Sequence, residues 1–244
     1  MDLSRLPVQN GFRLRGAAVS RVETFVDAAF AFAVTLLVVS FGSVPDSFEA
    51  LYEALRRLPA FVAGFAILAL FWHAHHRLFR RVGLEDFTIV VLSLALVAAT
   101  LFYVYPLRMV MSAAMGFFTG GWAVSEFRID NMSQFSTIFV IYGVGFAVLA
   151  GLIVALNVHA LRRSSQLRLD AAERQLLESE VVVHLVYIAC AVLSMAIALL
   201  LPARPGWWMA LPGMAYGLLG VALPIYAGVA QRRLQAALEL RTHP

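Results

Sequence analysis

The sequence predicts an all-α integral membrane protein with six transmembrane helices and both termini in the cytoplasm. Composition gives the first support: 61% of the 244 residues are hydrophobic and only 14% are charged, whereas soluble domains carry about 25% charged residues. The second support is the length of six apolar runs, each able to cross about 30 Å of hydrocarbon at about 1.5 Å per residue. These runs cover residues 22–41, 59–79, 87–111, 136–161, 181–201 and 207–229.

The connections between the runs are short, which predicts one membrane domain. We assign a cytoplasmic N-terminal tail to residues 1–20, the six-helix domain to residues 21–230 and a cytoplasmic C-terminal tail to residues 231–244. The fifth and sixth runs are joined by the turn sequence PARPG at 202–206. The first run is too long for the core of a signal peptide, and several more runs follow it.

The arginines give the orientation. All 19 basic residues are arginine. Fourteen lie in the N-terminal stretch through Arg21, from Arg77 through the loop after the second run, in the loop after the fourth run and in the C-terminal tail, and five lie on the opposite side. The positive-inside rule therefore predicts a multi-pass protein of the cell (plasma or inner) membrane with cytoplasmic termini. Because topology explains the positive charge, we expect no nucleic-acid partner.

Two polar segments carry the Asp-x-x-Glu spacing of a capping box, which marks helix starts. Asp46 and Glu49 predict a short amphipathic helix over residues 46–58 on the outer surface. Asp170 and Glu173 predict that the fifth helix extends into the cytoplasm.

The first run contains an acid, Asp27, inside an apolar helix. A charge at mid-bilayer costs about 2.5–3.5 kcal/mol on insertion scales, and less near an end. The positive end of the helix dipole accounts for Glu23 more readily than for Asp27. We therefore expect Asp27 to meet a donor on the second helix, where the segment FWHAHHRLF at 71–79 offers four at the same depth: Trp72, His73, His75 and His76.

The three histidines also raise the question of a metal site. His73 and His76 could supply two ligands, but no acidic residue or cysteine follows nearby. His75 and His76 point about 100° apart on a helix and do not easily bind one ion together. A polar clamp between two helices is favoured, and we expect no metal and no other cofactor. The sequence contains no nucleophile elbow, phosphate loop or zinc-protease motif, so we expect no enzyme.

One apolar stripe runs along the first helix. Its members fall within about 40° of one line at 3.6 residues per turn, and they are Phe25, Ala29, Phe32, Leu36, Val39 and Ser43. Such a stripe can face lipid, pack on other helices or line a pore with a hydrophobic constriction that gates by dewetting. Helical angles alone leave these three readings open.

Two motifs resemble the transmembrane protein 175 family. The first is Arg21, Phe25 and Asp27, followed by the apolar run FAFAVTLLV at 30–38; the second is the Trp-x-x-His-His pattern at 72–76. Their order, their spacing and the six-span layout identify the chain as a bacterial member with a single six-helix repeat. The sequence departs from the family at Val26, where a serine is usual, and at Phe32, where isoleucine or leucine is expected.

The resemblance implies a potassium-permeable leak channel that lacks a carbonyl selectivity filter. It implies a homotetramer in membrane lipid, with the first helices lining a central pore and K⁺ as the permeant ion. The implied pore and gate residues are Phe32, Thr35, Leu36 and Val39. The implied structural network consists of Arg21, Phe25, Asp27, Trp72, His75 and His76. A ring of four phenylalanines at position 32 would narrow the pore and raise its dewetting barrier.

A proton-coupled secondary transporter is the alternative. In it, Asp27 and the cluster of His73, His75 and His76 would form a proton relay. No run is clearly interrupted at mid-membrane and no inverted repeat is visible in the sequence, so the channel is favoured.

Overall fold

A computed structural model describes residues 6–16, 18–39, 45–125, 129–201 and 206–242, without the side chains of Val39 and of residues 239–242. A β-hairpin with two residues in each strand precedes a bundle of long helices. The elements are β1 Val8–Gln9, β2 Phe12–Arg13, α1 Arg21–Val39, α2 Phe48–Val82, α3 Phe87–Phe118, α4 Met132–Arg162, α5 Ser164–Leu167, α6 Ala171–Leu200, a 3-10 turn Trp207–Ala210, α7 Leu211–Gly217 and α8 Leu219–Thr242.

The apolar composition gives helices of membrane-spanning length. Within the described residues, five helical segments are long and apolar enough to cross a bilayer: α2, α3, α4, α6 and the stretch Trp207–Leu238. The helix α1 is not among the five. It has 19 residues and carries Arg21, Glu23 and Asp27 in its first two turns. The prediction of an all-α, multi-pass membrane protein is confirmed.

The predicted outer helix over 46–58 is not a separate element. It is the first part of α2, which runs for 35 residues through Pro59, or about 52 Å at about 1.5 Å per residue. The N-cap is Ser47, whose side chain accepts from the N–H of Ala50, and not Asp46. Extending an existing helix past a proline loses one backbone hydrogen bond, whereas a second helix needs a new nucleus.

The sixth predicted run is divided. A 3-10 turn leads into α7, Pro212 lies in the first turn of α7, and a break at Leu218 separates α7 from α8. Proline suits a helix start because its missing N–H would have no intrahelical partner there. Gly217 and Gly220 flank the break, and glycine is a weak helix former. The helix α8 then continues to Thr242.

The centre of the bundle is α4, which packs on α3 and α6. Aromatic rings join it to its neighbours: Phe146 of α4 lies 5.3 Å from the Phe71 ring of α2, 5.3 Å from the Tyr216 ring of α7 and 5.7 Å from the Tyr187 ring of α6. The helix α1 packs on α2 and α3 at the edge of this core. One side of α1 is therefore left open.

The predicted N-terminal extension of the fifth helix is present. The helix α6 begins at Ala171, and Asp170 and Glu173 form the reciprocal capping box that their spacing predicted. The N-terminal tail holds a hairpin that the sequence did not predict. In it Val8 pairs with Arg13 and Gln9 with Phe12, and the Phe12 side chain is fully buried.

The α1 face and its polar contacts

The helix α1 has one packed side and one open side. Its buried apolar residues recur every three or four positions, as one face of a helix requires: Val26, Phe30, Ala33 and Leu37. The open side repeats at the same spacing of three or four residues, and it includes Phe25, Ala28, Phe32 and Thr35. Phe25 is 53% exposed and Phe32 is 55% exposed.

The predicted pore residues fall on or beside the open side. Phe32 and Thr35 are exposed, whereas Leu36 is half-buried and packs partly on the core. The Thr35 hydroxyl donates to the Ala31 carbonyl at 3.0 Å, one turn back in the same helix. The Val39 side chain lies outside the described residues, as does Ser43.

The acid at position 27 meets a donor on α2, as the sequence predicted. The Trp72 indole Nε1 donates to Asp27 Oδ1 at 2.8 Å. The Trp72 ring also stacks on the His76 ring, with centroids 5.4 Å apart. The hydrogen bond therefore comes from an indole whose orientation is fixed by a second contact.

Glu23 lies beside two basic side chains of α2, in addition to its place in the first turn of α1. Its side chain is only 2% exposed, and Glu23 Oε1 lies 3.2 Å from His76 Nδ1 and 3.8 Å from Arg80 Nε. Trp72, His76 and Arg80 are spaced four residues apart, so they share one face of α2, and that face meets both acids of α1. The four-residue spacing was visible in the sequence, but the pairing of Glu23 with it was missed.

The rest of the predicted network does not join this contact. His75 is fully buried and faces α3, where its Nε2 lies 3.0 Å from Ser93 Oγ. Arg21 and Phe25 are exposed on α1. The structure thus brings Asp27, Trp72 and His76 together with Glu23 and Arg80, and leaves the other three positions outside the cluster.

The histidines do not converge on one point. His75 faces Ser93, whereas His76 faces Glu23. Among the residues that the structure describes, no group of three or more His, Cys, Asp or Glu side chains is arranged to hold a metal ion.

A second polar stripe on α2 faces α6. Arg77 donates to Glu180 Oε2 at 2.5 Å, and Arg81 donates to Glu180 Oε1 at 3.2 Å. The C-terminal half of α2 is therefore linked to α1 on one side and to α6 on the other. Sequence reasoning missed this link, although the arginines at 77 and 81 are one helical turn apart.

Comparison with known proteins finds potassium channels among the proteins similar to this chain. The sequence model described as "Endosomal/lysosomal potassium channel TMEM175" matches residues 21–106, which include α1, α2 and the start of α3. A protein of Marivirga tractuosa named "Potassium channel" is 27% identical over 233 residues, which are 93% of this chain and 94% of the relative. The chain is therefore similar to the TMEM175 family over residues 21–106 and to a named potassium channel over most of its length. TMEM175 proteins are ion channels and not enzymes, and both sequence motifs lie inside the matched region.

Solved TMEM175 structures share the fold. A variant of the potassium channel MtTMEM175, crystallised with a nanobody–MBP fusion protein, superposes with a TM-score of 0.77 at 25% identity, over 93% of this chain and 100% of that one. A homologue from Chamaesiphon minutus, described as a lysosomal potassium-selective channel TMEM175 homologue, gives a TM-score of 0.56 at 20% identity, over 86% of this chain and 96% of that one. The second likeness bears on the fold alone.

One departure from the TMEM175 pattern has a simple structural setting. Val26, where the family has a serine, is completely buried on the packed side of α1. It fills the core with methyl groups and contributes no hydroxyl to the polar contact that Asp27 makes one residue further on.

Proposed function

We propose that this chain is one subunit of a potassium-permeable leak channel, and that ions pass along the open side of α1. The observation that carries the proposal is the exposure of Phe32 and Thr35 in the middle of a helix whose other side is packed. Similarity to a channel family and the potassium-channel names of the relatives support K⁺ as the permeant ion.

A single α1 cannot enclose a pore, so the proposal requires several copies. We propose a homotetramer in which four α1 helices surround a central axis. The position of α1 at the edge of the bundle favours this arrangement, because its open side is available to other copies. At 19 residues, α1 extends about 28 Å, close to the hydrocarbon thickness of about 30 Å. It is the sixth span in this proposal.

The gate is proposed to be hydrophobic. Rings of Phe32, Leu36 and Val39 would form an apolar constriction, with Thr35 beside them as the one hydroxyl. A narrow apolar pore conducts only when it is wetted, which allows gating without a charged barrier or a carbonyl filter. Phe32 is the largest of these side chains and would set the narrowest point.

The orientation is proposed from the arginines. Gly11 of the hairpin adjoins Leu176 of α6 and Leu238 of α8, and the Arg15 N–H bonds the Arg81 carbonyl at the end of α2. The arginine-rich segments of the described chain therefore meet at one end of the bundle. By the positive-inside rule this end faces the cytoplasm. The proposed location is the plasma membrane or the bacterial inner membrane.

Flux measurements test the proposal. The purified protein in potassium-loaded liposomes should release K⁺ down its gradient without valinomycin, at a rate that scales with the driving force. Particle images should contain four copies around one axis. A monomeric particle, or liposomes without flux, would refute the channel. Transport strictly coupled to protons would instead favour a transporter that uses Asp27 and the histidines.

A further inference from the structure

The N-terminal segment before α1 is a packed structural element. We call residues 6–16 and 18–20 the N-terminal strap. Phe12 is fully buried, and two guanidinium groups cover its ring: Arg15 at 5.5 Å and Arg81 at 5.4 Å from the ring centroid. The strap is therefore held against the end of α2 by an apolar anchor with cationic neighbours.

A buried ion pair fastens the strap to α6. Arg15 donates to both carboxylate oxygens of Glu173, at 3.0 and 2.8 Å, and the two side chains are 4% and 0% exposed. Glu173 also accepts from the Arg13 backbone N–H at 2.9 Å, and Arg15 Nε donates to the Leu167 carbonyl at 3.0 Å. Bidentate geometry with further donors on the same carboxylate fixes one arrangement more strictly than a single surface contact does.

The strap then crosses the end of α2 at very short range. The N–H groups of Arg15 and Gly16 donate to the Arg81 and Arg80 carbonyls at 3.2 and 3.1 Å. A Cβ on Gly16 would overlap the Phe79 carbonyl, so the crossing requires glycine. The Arg80 side chain in turn donates to the carbonyls of Gly16 and Ala18.

The strap ends where α1 begins. Ser20 Oγ accepts from the Glu23 N–H at 3.0 Å, and the Glu23 carboxylate faces His76 and Arg80 of α2. The contacts form a closed circuit. The strap holds α6 through Glu173, α6 holds α2 through Glu180, α2 holds α1 through Arg80 and His76, and α1 continues directly from the strap.

We propose that Arg15 and Glu173 are positioning residues for α1, and that the ion pair they form sets the place of the cytoplasmic end of the pore helix. The inference rests on the proposed function for its effect on ion flux, but not for its effect on the position of α1. Neither residue touches the open side of α1, so both act through the strap and through Arg80.

Trp72 supplies a local reporter. It contacts Asp27 of α1 and stacks on His76, so its emission responds to a shift of α1 against α2. The other three tryptophans are removed with Trp122→Phe, Trp207→Phe and Trp208→Phe. In this background Glu173→Gln should change the Trp72 emission maximum. It should also change K⁺ flux by roughly two- to thirtyfold, the range for substitutions that alter coupling between sites.

The matched control is Glu178→Gln, which removes an exposed carboxylate from the same helix and should alter neither signal. The double variant Arg15→Gln/Glu173→Gln leaves no unpaired buried charge. It serves as the test if the single variant fails to fold, and it should show the same two changes. Arg15→Lys keeps the charge but loses the bidentate contact. It should shift both the Trp72 emission maximum and the K⁺ flux less than Glu173→Gln does.

The outcomes separate the two proposals. The positioning role would be overturned if the Trp72 emission maximum of Glu173→Gln, or of the double variant, equals that of the Glu178→Gln control. The parent protein here carries only the three Trp→Phe substitutions. If its helices fold but it shows no K⁺ flux, the proposed function is contradicted. The Trp72 emission would still decide the role of the strap.

Discussion

The Trp72 indole N–H and the Asp27 carboxylate form a hydrogen bond of 2.8 Å between α2 and α1. Asp27 is half-buried in α1, so this bond replaces part of the solvation that the carboxylate loses. The same indole stacks on His76, which lies beside Glu23. The two acids of α1 are thus held by consecutive turns of α2.

Trp72→Phe keeps an aromatic ring but removes the donor. We expect it to lower the free energy of unfolding by about 1–3 kcal/mol, because a partly buried carboxylate loses its hydrogen bond. Thermal denaturation in detergent, followed by circular dichroism, measures the change. Trp122→Phe at a 46% exposed position is the control. Equal melting temperatures for the two variants would mean that the bond does not hold α1.

Phe32 and Phe30 lie on opposite sides of α1 and should respond in opposite ways. Phe32→Ala removes a 55% exposed ring, so we expect a changed K⁺ flux with little change in melting temperature. Phe30 is 4% exposed. Phe30→Ala should lower the free energy of unfolding by about 3–5 kcal/mol, as large-to-small substitutions do in other close-packed cores. Liposome flux and thermal denaturation of both variants give the comparison. Unchanged flux in Phe32→Ala would remove Phe32 from the pore.

The long helices were predictable from the sequence because their apolar runs have the length that a bilayer requires. The contact of Asp27 with Trp72 was predictable for a similar reason. Both lie at one depth near the same ends of the first two helices, and an acid in an apolar helix needs a donor. The capping box of Asp170 and Glu173 is a local pattern and was also visible.

Contacts that depend on how helices pack were not predictable. Glu23 suits a first helical turn, and only the register of α1 against α2 shows that His76 and Arg80 face it. The hairpin of the strap is two residues long on each strand, too short for a clear sequence pattern. Its main anchor, Glu173, is about 160 residues away, and the same glutamate already had a local role in the cap of α6.

The ion pair of Glu173 should depend on pH. Burial acts to raise the pKa of Glu173, but the hydrogen bonds from Arg15 and from the Arg13 N–H, with the Arg15 charge, lower this pKa from its ordinary value of 4.5 overall. A carboxyl with a depressed folded pKa stabilises the protein above its unfolded pKa, and the stabilisation disappears as the pH falls through the folded pKa.

Wild type and Glu173→Gln should therefore differ most in melting temperature at neutral pH, and the gap should narrow as the pH falls below about 4.5. Melting curves over this range, in one detergent, measure the gap. Burial acts to raise the pKa of Asp86, but the hydrogen bonds from His159 and the Ile89 N–H, with the nearby positive charges, together lower it. Asp86 is present in both proteins, so its effect on the gap cancels. A gap that stays constant into acid would show that the Glu173 charge contributes nothing.

The proposed orientation predicts which ends of the helices are accessible from outside the cell. Phe48 begins α2, at the end proposed to face outside, and is 77% exposed. Gln235 is exposed in the last turns of α8. In whole cells, a membrane-impermeant maleimide should label Phe48→Cys at once and Gln235→Cys only after permeabilisation. The native Cys190 is buried, so it gives a low background, and Cys190→Ala removes it. Labelling of Gln235→Cys in intact cells, with Phe48→Cys protected, would reverse the orientation and place the arginine-rich end outside.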